Sequence, residues 1–257
     1  MKIGVIGTGN IALAVIRGLC TASGAPQRVL LSPRNTQKSA TLASEFQQAE
    51  VAPDNQAVID GSDWIVLAVR PQVAHEVLSP LQFRAGQKIV SLIAAVTLDE
   101  LRQLTEPATD IVRAVPLPPV AQHIGPTAIC PMDAEVAALF DKIGTAVPVA
   151  DEHQFNTICT ATATVAAYYG FLGSISDWMV NEGLEREASD RYLAALSQAV
   201  AADAAEAVEI GFEALITDVA TPGGMNEQVH RTFREKGWFD PIHPALDAIL
   251  ARYEHDE

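Results

Sequence analysis

The stretch from Lys2 to Leu19 restricts the fold more than any other. A short apolar run, Ile3-Gly4-Val5-Ile6, meets Gly7-Thr8-Gly9-Asn10-Ile11-Ala12 and passes into Leu13-Ala14-Val15-Ile16-Arg17-Gly18-Leu19. The order is strand, glycine turn, helix. The first glycine permits the tight turn, the second lets the backbone approach a pyrophosphate, and the small Ala12 lets the helix pack closely on the strand. The first N–H groups of the helix and the positive end of its dipole then face the phosphates. A G-x-G-x-x-A string alone also reads as a turn that binds nothing. Its setting between strand and helix makes it a dinucleotide site built from Gly7, Thr8, Gly9, Asn10, Ile11 and Ala12.

The second strand, Arg28-Val29-Leu30-Leu31, ends beside the expected adenosine ribose, where an NAD site places an acidic residue. Here the chain reads Ser32-Pro33-Arg34-Asn35. Ser32, Arg34 and Asn35 form a donor-rich loop, and an arginine offers a charge-assisted fork to phosphate oxygens. NADP is therefore favoured over NAD, with NAD use left open. The alternative is a polar loop exposed for solubility alone.

The chain has 257 residues, 49% of them hydrophobic, enough for a sizeable core in two domains or one large one. A formal charge of −15 argues against nucleic acid and anionic membrane surfaces. Cys20, Cys130 and Cys159 have no metal-ligand spacing and read as reduced thiols, and no metal site is expected. The first strand opens the chain without a signal-like segment, and no run of about twenty apolar residues suits a membrane span. The expectation is a soluble, cytoplasmic protein.

Further apolar runs follow at Trp64–Val69, Lys88–Ala94, Asp110–Val115, Thr127–Cys130 and Ala146–Val149. Runs that are apolar throughout suit strands covered on both faces. They predict an α/β fold, a doubly wound, mostly parallel Rossmann sheet over residues 1–150. Residues 151–257 predict an all-α dimerisation domain. Asp151 caps a long helix through Thr157, Ala161, Val165 and Tyr168 to about Val180. A second helix runs from about Glu187 to Ile210, and a last short one from about Ala245 to Tyr253. Alanine on several faces of the second helix lets more than one neighbour approach, which predicts a homodimer through this half, with higher assembly open. A self-contained bundle is the alternative.

Ligands of an open α/β sheet bind beyond the carboxyl ends of its strands. Three ends are distinctive: Ala68-Val69-Arg70-Pro71-Gln72, Ser91-Leu92-Ile93-Ala94-Ala95-Val96 and Arg113-Ala114-Val115-Pro116-Leu117-Pro118-Pro119. Singly each is punctuation, such as a first-turn proline. Together they read as the wall of a cofactor cleft.

With Ala220-Thr221-Pro222-Gly223-Gly224-Met225-Asn226 near the end, the order IGTGNIA, SPRN, AVRPQ, SLIAAV, RAVPLPP resembles the pyrroline-5-carboxylate reductase family over essentially the whole chain. The resemblance implies NAD(P)H-dependent reduction of the cyclic imine 1-pyrroline-5-carboxylate to proline. It implies that Val69, Arg70 and Pro71 line the nicotinamide half, with Ala68 and Ala94 also among the cofactor-binding residues. The departures fall on the substrate side. Leu117 stands in a P-N-T-P position, and Thr162-Ala163-Thr164-Val165-Ala166-Ala167-Tyr168 replaces S-G-S-G-P-A-Y. Met225-Asn226 stands where the family has T-T or A-T. The resemblance makes Gly223, Gly224, Met225 and Leu117 substrate contacts, and Asn226, Tyr168, Thr162 and Thr164 the catalytic candidates. An amide can orient an imine but is no proton donor at neutral pH, which leaves Tyr168, a water or a protonated iminium to supply the proton. Asn226 also reads as a helix-capping residue, and Tyr168 as a packing aromatic. His75, His123, His153, His230, His243 and His255 are scattered and receive no role. Two other functions stay open: an NADPH-dependent reductase of a different imine or carbonyl, and a non-catalytic NADP(H)-binding protein.

Overall fold

A computed structural model describes residues 1–254, so His255 lies outside the described residues. The chain forms two compact units, Met1–Cys159 and Thr160–Glu257. In the first, chain order is β1 (Lys2–Ile6), α1 (Asn10–Thr21), β2 (Arg28–Leu31), α2 (Thr36–Glu45), β3 (Ala49–Val51), α3 (Asn55–Asp60), β4 (Trp64–Leu67), α4 (Ala74–Leu78), β5 (Lys88–Ser91), α5 (Leu98–Leu104), β6 (Asp110–Pro116), β7 (Pro126–Cys130), α6 (Ala134–Phe140) and β8 (Thr145–Pro148), followed by α7 (Glu152–Ala161). The strands form one sheet in the order β3-β2-β1-β4-β5-β6-β7-β8, parallel except between β6 and β7. The doubly wound, mostly parallel sheet expected from the apolar runs is present.

Both faces of this sheet are covered. Alternate residues of β4 go to opposite sides: Val66 joins Ile3, Val15, Leu42 and Phe140, whereas Ile65 and Leu67 join Ile6, Ile89, Leu101 and Phe155. That is why a strand here reads as continuously apolar. Two expected strands are shorter: β4 stops at Leu67 and β5 at Ser91, leaving Ala68, Val69, Leu92, Ile93 and Ala94 beyond the ladder. β8 lies one residue earlier than expected, at Thr145–Pro148. β3 has only three residues and gave no apolar run to read.

Helix starts are fixed by side chains. Asp54, Asp133 and Asp151 accept from the backbone N–H groups of Ala57, Val136 and Gln154, each at 2.8 Å. Thr97 and Glu100 form a reciprocal capping box at α5. α1 is different: its N-cap is Gly9, with no side-chain cap and no acidic residue in the first turn.

The second unit continues the α7 helix through a 3-10 turn at Thr162–Thr164 into α8 (Val165–Asn181), then α9 (Arg186–Glu206), α10 (Phe212–Val219), α11 (Met225–Glu235) and α12 (Ile242–Glu254). Three expectations change. The single helix to about Val180 is interrupted at Thr162–Thr164. The helix expected to reach Ile210 stops at Glu206 ahead of Gly211, whose φ is +77°. The last helix starts at Ile242, because Pro244 lies in the first turn, where its missing N–H is harmless. Leu193 is the only buried apolar side chain among the described residues of this unit. α8 and α9 are joined by polar groups: Ser176 Oγ donates to Asp190 Oδ1 and accepts from Arg186 Nη1.

Candidate active site

Parallel pairing sets Ile6 beside Leu67, Leu67 beside Ser91, and Val5 beside Leu31. The residues after these strands therefore lie along one edge of the sheet. Gly7 has φ +94°, and a Cβ there would stand 2.8 Å from the carbonyl carbon and oxygen of Ala68. Gly7 is thus required by the next strand end. Gly9 has ordinary φ, −75°, and a Cβ there would meet nothing closer than the Ala68 oxygen at 3.9 Å. Its open side faces outward from an uncapped helix end, the arrangement a pyrophosphate requires. Ala12 is buried against the sheet, as close helix packing demands. Ile11 is half-buried.

Around the adenosine side, hydroxyls build the loop. Thr8 Oγ1 lies 3.0 Å from Ser39 Oγ, which donates to the Ser32 carbonyl at 2.7 Å. Ser32 is buried, and its hydroxyl donates to Asn55 Oδ1 at 2.7 Å. Asn35 caps α2 by accepting from the Lys38 N–H at 3.2 Å. The groups that project are cations. Arg34 is exposed, and Lys38 Nζ donates to Asn10 Oδ1 at 2.7 Å, which holds the ammonium at the start of α1. Lys38 escaped the reading of the sequence. The signal was its place three residues after the capping Asn35, in the first turn of a helix beginning beside the ribose.

Beyond the end of β4, Ala68 and Val69 are half-buried and Arg70 exposed, and Pro71 opens a 3-10 turn over Pro71–Val73. Ala94 is exposed in a turn, and its carbonyl accepts from Arg113 Nη2 at 2.7 Å. Leu117 is half-buried at the start of a 3-10 turn over Pro118–Gln122. Burial pushes the thiols of Cys20 and Cys130 up to about 11, so neither is a thiolate at neutral pH. Among the described residues no cluster of His, Cys, Asp and Glu could hold a metal ion.

In the second unit Thr162 and Thr164 lie in the 3-10 turn, and Thr164 Oγ1 donates to the Ala161 carbonyl at 2.8 Å. Tyr168 is 47% exposed on α8, its ring 6.1 Å from that of Tyr169. Gly223 has φ +75°. The Gly224 N–H donates to the Thr221 carbonyl at 2.8 Å, closing a turn, and so is already engaged within the chain. Met225 begins α11 and is 85% exposed. Asn226 Nδ2 donates to the Val219 carbonyl at 3.2 Å, tying α11 to the end of α10.

Two family models match the chain: "NADP oxidoreductase coenzyme F420-dependent" over residues 2–95 and "Pyrroline-5-carboxylate reductase dimerisation" over residues 152–256. Pyrroline-5-carboxylate reductase of Escherichia coli K12 is 29% identical, covering 98% of this chain and 97% of its own length. That of Pseudomonas aeruginosa is 28% identical over 98% and 95%. The chain belongs to the pyrroline-5-carboxylate reductase family. Its fold matches the solved Coxiella burnetii member at a TM-score of 0.85 and 23% identity, over 98% and 97% of the two chains. A Plasmodium falciparum pyrroline carboxylate reductase solved with NADP bound matches at a TM-score of 0.78 and 19% identity, over 99% and 97%. Family membership identifies the first unit as a nucleotide-binding reductase domain and the helical second unit as a dimerisation domain, which makes the protein a homo-oligomer.

Proposed function

We propose that this protein reduces the C=N bond of 1-pyrroline-5-carboxylate with NADPH, giving proline, and works as a homodimer. The observation that carries the reading is likeness over both halves at once: a reductase nucleotide domain and the reductase dimerisation domain in one chain of matching length. The outward side of Gly9 and the uncapped start of α1 hold the pyrophosphate. Arg34 and Lys38 hold the 2′-phosphate, and Asn10 keeps Lys38 in place. Ala68, Val69, Arg70, Pro71 and Ala94 line the nicotinamide, which supplies the hydride when bound. The family resemblance assigns the substrate roles unit by unit: Leu117 in the first, and in the second Thr162, Thr164 and Gly223 for the carboxylate, Met225 for the ring and Asn226 for the imine nitrogen. The Tyr168 hydroxyl, part exposed on α8, supplies the proton.

A second reading, a different cyclic imine as substrate, is favoured by Leu117, an apolar side chain where the family motif has an amide. The test is NADPH oxidation with 1-pyrroline-5-carboxylate beside 1-pyrroline-2-carboxylate and uncharged 1-pyrroline. Fastest turnover of the first supports the proposal. Fastest turnover of either other compound replaces the substrate, and NADPH binding without turnover of any overturns the enzymatic reading.

A further inference from the structure

Arg113 lies in β6, in register with Ser91 of β5 and Cys130 of β7, with a side chain only 3% exposed. A guanidinium this deep is costly unless its donors are matched. Nη2 donates to the carbonyl of Ala94 at 2.7 Å, and Nη1 to Glu152 Oε1. The guanidinium carbon sits 4.5 Å from the centre of the Phe155 ring. Glu152 Oε1 also accepts the Leu98 N–H at 3.0 Å. One side chain and its carboxylate partner therefore join β6, the first turn of α7 and both ends of the segment Ala94–Leu98. Arg113 Nε has no partner among the described residues, so the site is not optimised for stability alone.

We propose that Arg113 and Glu152 are a positioning pair that fixes the Ala94–Leu98 turn as the wall behind the nicotinamide ring. The inference rests on Ala94 lining the nicotinamide half of the cleft. A buried ion pair adds little stability over an apolar pair of similar volume. This one commits one guanidinium donor to a backbone carbonyl in a turn, outside any strand or helix. A planar fork can reach both the carbonyl and the carboxylate, and an ammonium cannot do so with the same geometry.

The test compares the affinity for NADPH with that for adenosine 2′,5′-bisphosphate, which lacks the nicotinamide half. In Arg113→Lys the bisphosphate should bind within about twofold of wild type, because the adenosine side is untouched, while NADPH weakens about tenfold and kcat falls more than KM rises. Glu152→Gln keeps an acceptor for Leu98 and should give the same pattern at about threefold. Parallel weakening of both ligands, or no change in either, in a folded variant overturns the proposal. If Arg113→Lys does not fold, Glu152→Gln decides by the same ratio. Wild-type turnover of 1-pyrroline-5-carboxylate is read separately: its absence with the ratio shifted refutes the substrate reading and leaves the pair standing.

Discussion

Gly7 and Gly9 stand two residues apart and answer to different demands. Gly7 sits at positive φ against the Ala68 carbonyl, so Gly7→Ala should cost about 1–3 kcal/mol in stability as well as nucleotide binding. Gly9 has room for a methyl group, so Gly9→Ala should leave the unliganded protein within about 0.5 kcal/mol of wild type, measured by urea unfolding. The same change should weaken NADPH by at least about tenfold in a fluorescence titration, because the methyl occupies the side a pyrophosphate approaches. Equal loss of stability in both variants would refute this division of labour. Lys38→Met makes a second prediction at this scale: affinity for NADPH falls about tenfold and for NADH less than about twofold, and the difference shrinks as salt rises. The strand, turn and helix at the start of the chain were legible in the sequence because backbone geometry at Gly7 admits only glycine. Lys38 was not, since a lysine in a first helical turn looks like any solvated side chain until its hydrogen bond to Asn10 is known. Arg113 did leave a signal, a cation inside the apolar run Ile111-Val112-Arg113-Ala114-Val115, and a buried partner is what such a residue demands.

Among elements, charge gathers at the amino-terminal end of an interior strand of the sheet. Lys88 of β5 is 8% exposed on its side chain and meets Asp133 at 2.6 Å, Asp110 at 3.0 Å and Glu135 at 3.3 Å. Burial works against its charge, but the hydrogen bonds it donates to Asp133, Asp110 and Glu135 outweigh it and hold the lysine above its ordinary value. For Asp133, burial likewise opposes the charge, and the Lys88 hydrogen bond and the α6 backbone carry its value below the usual carboxylate one. A carboxylate with a depressed value stabilises the fold above its unfolded value near 3.8, and loses that contribution as pH falls through the depressed one. A lysine with a raised value stabilises below about 10.5 and loses its contribution as pH climbs through the raised one. Asp133→Asn can still cap α6, so it isolates the charge. It should cost about 1–3 kcal/mol at pH 7, with the gap to wild type closing as unfolding is measured at progressively acid pH. A pH-independent gap would assign the effect to packing. Element ends were less legible than element cores. Ala68, Val69, Leu92 and Ile93 stay apolar past the last ladder bond, and the turn at Thr162–Thr164 carries neither glycine nor proline to mark it.

At the scale of the whole molecule, the two units differ in what they bury. The first has an apolar cluster on each face of its sheet, and the second has Leu193. On α9, Tyr192, Leu196 and Val200 are 61%, 43% and 57% exposed and recur every fourth residue, which is one face of a helix. Phe171, Trp178, Phe233 and Trp238 line an open groove of about 400 Å³ on the same unit. The stretch Glu152–Asn181, from α7 through the 3-10 turn to α8, has the length and hydropathy of a membrane span and is little buried, and it lies within the residues that match a dimerisation domain. Leu196→Glu should therefore convert the dimer to monomer in sedimentation velocity, and the wild-type melting temperature should rise with protein concentration. A monomeric wild type at micromolar concentration would refute the assembly. The order of the sheet has a further consequence for synthesis. The interior strand β1 is made before the strands that flank it, and the strands of the described residues are complete by Pro148, before most of the helical half exists. The nucleotide site can thus be assembled on the nascent chain, and the cofactor already bound, while the surface that joins two chains is still being translated.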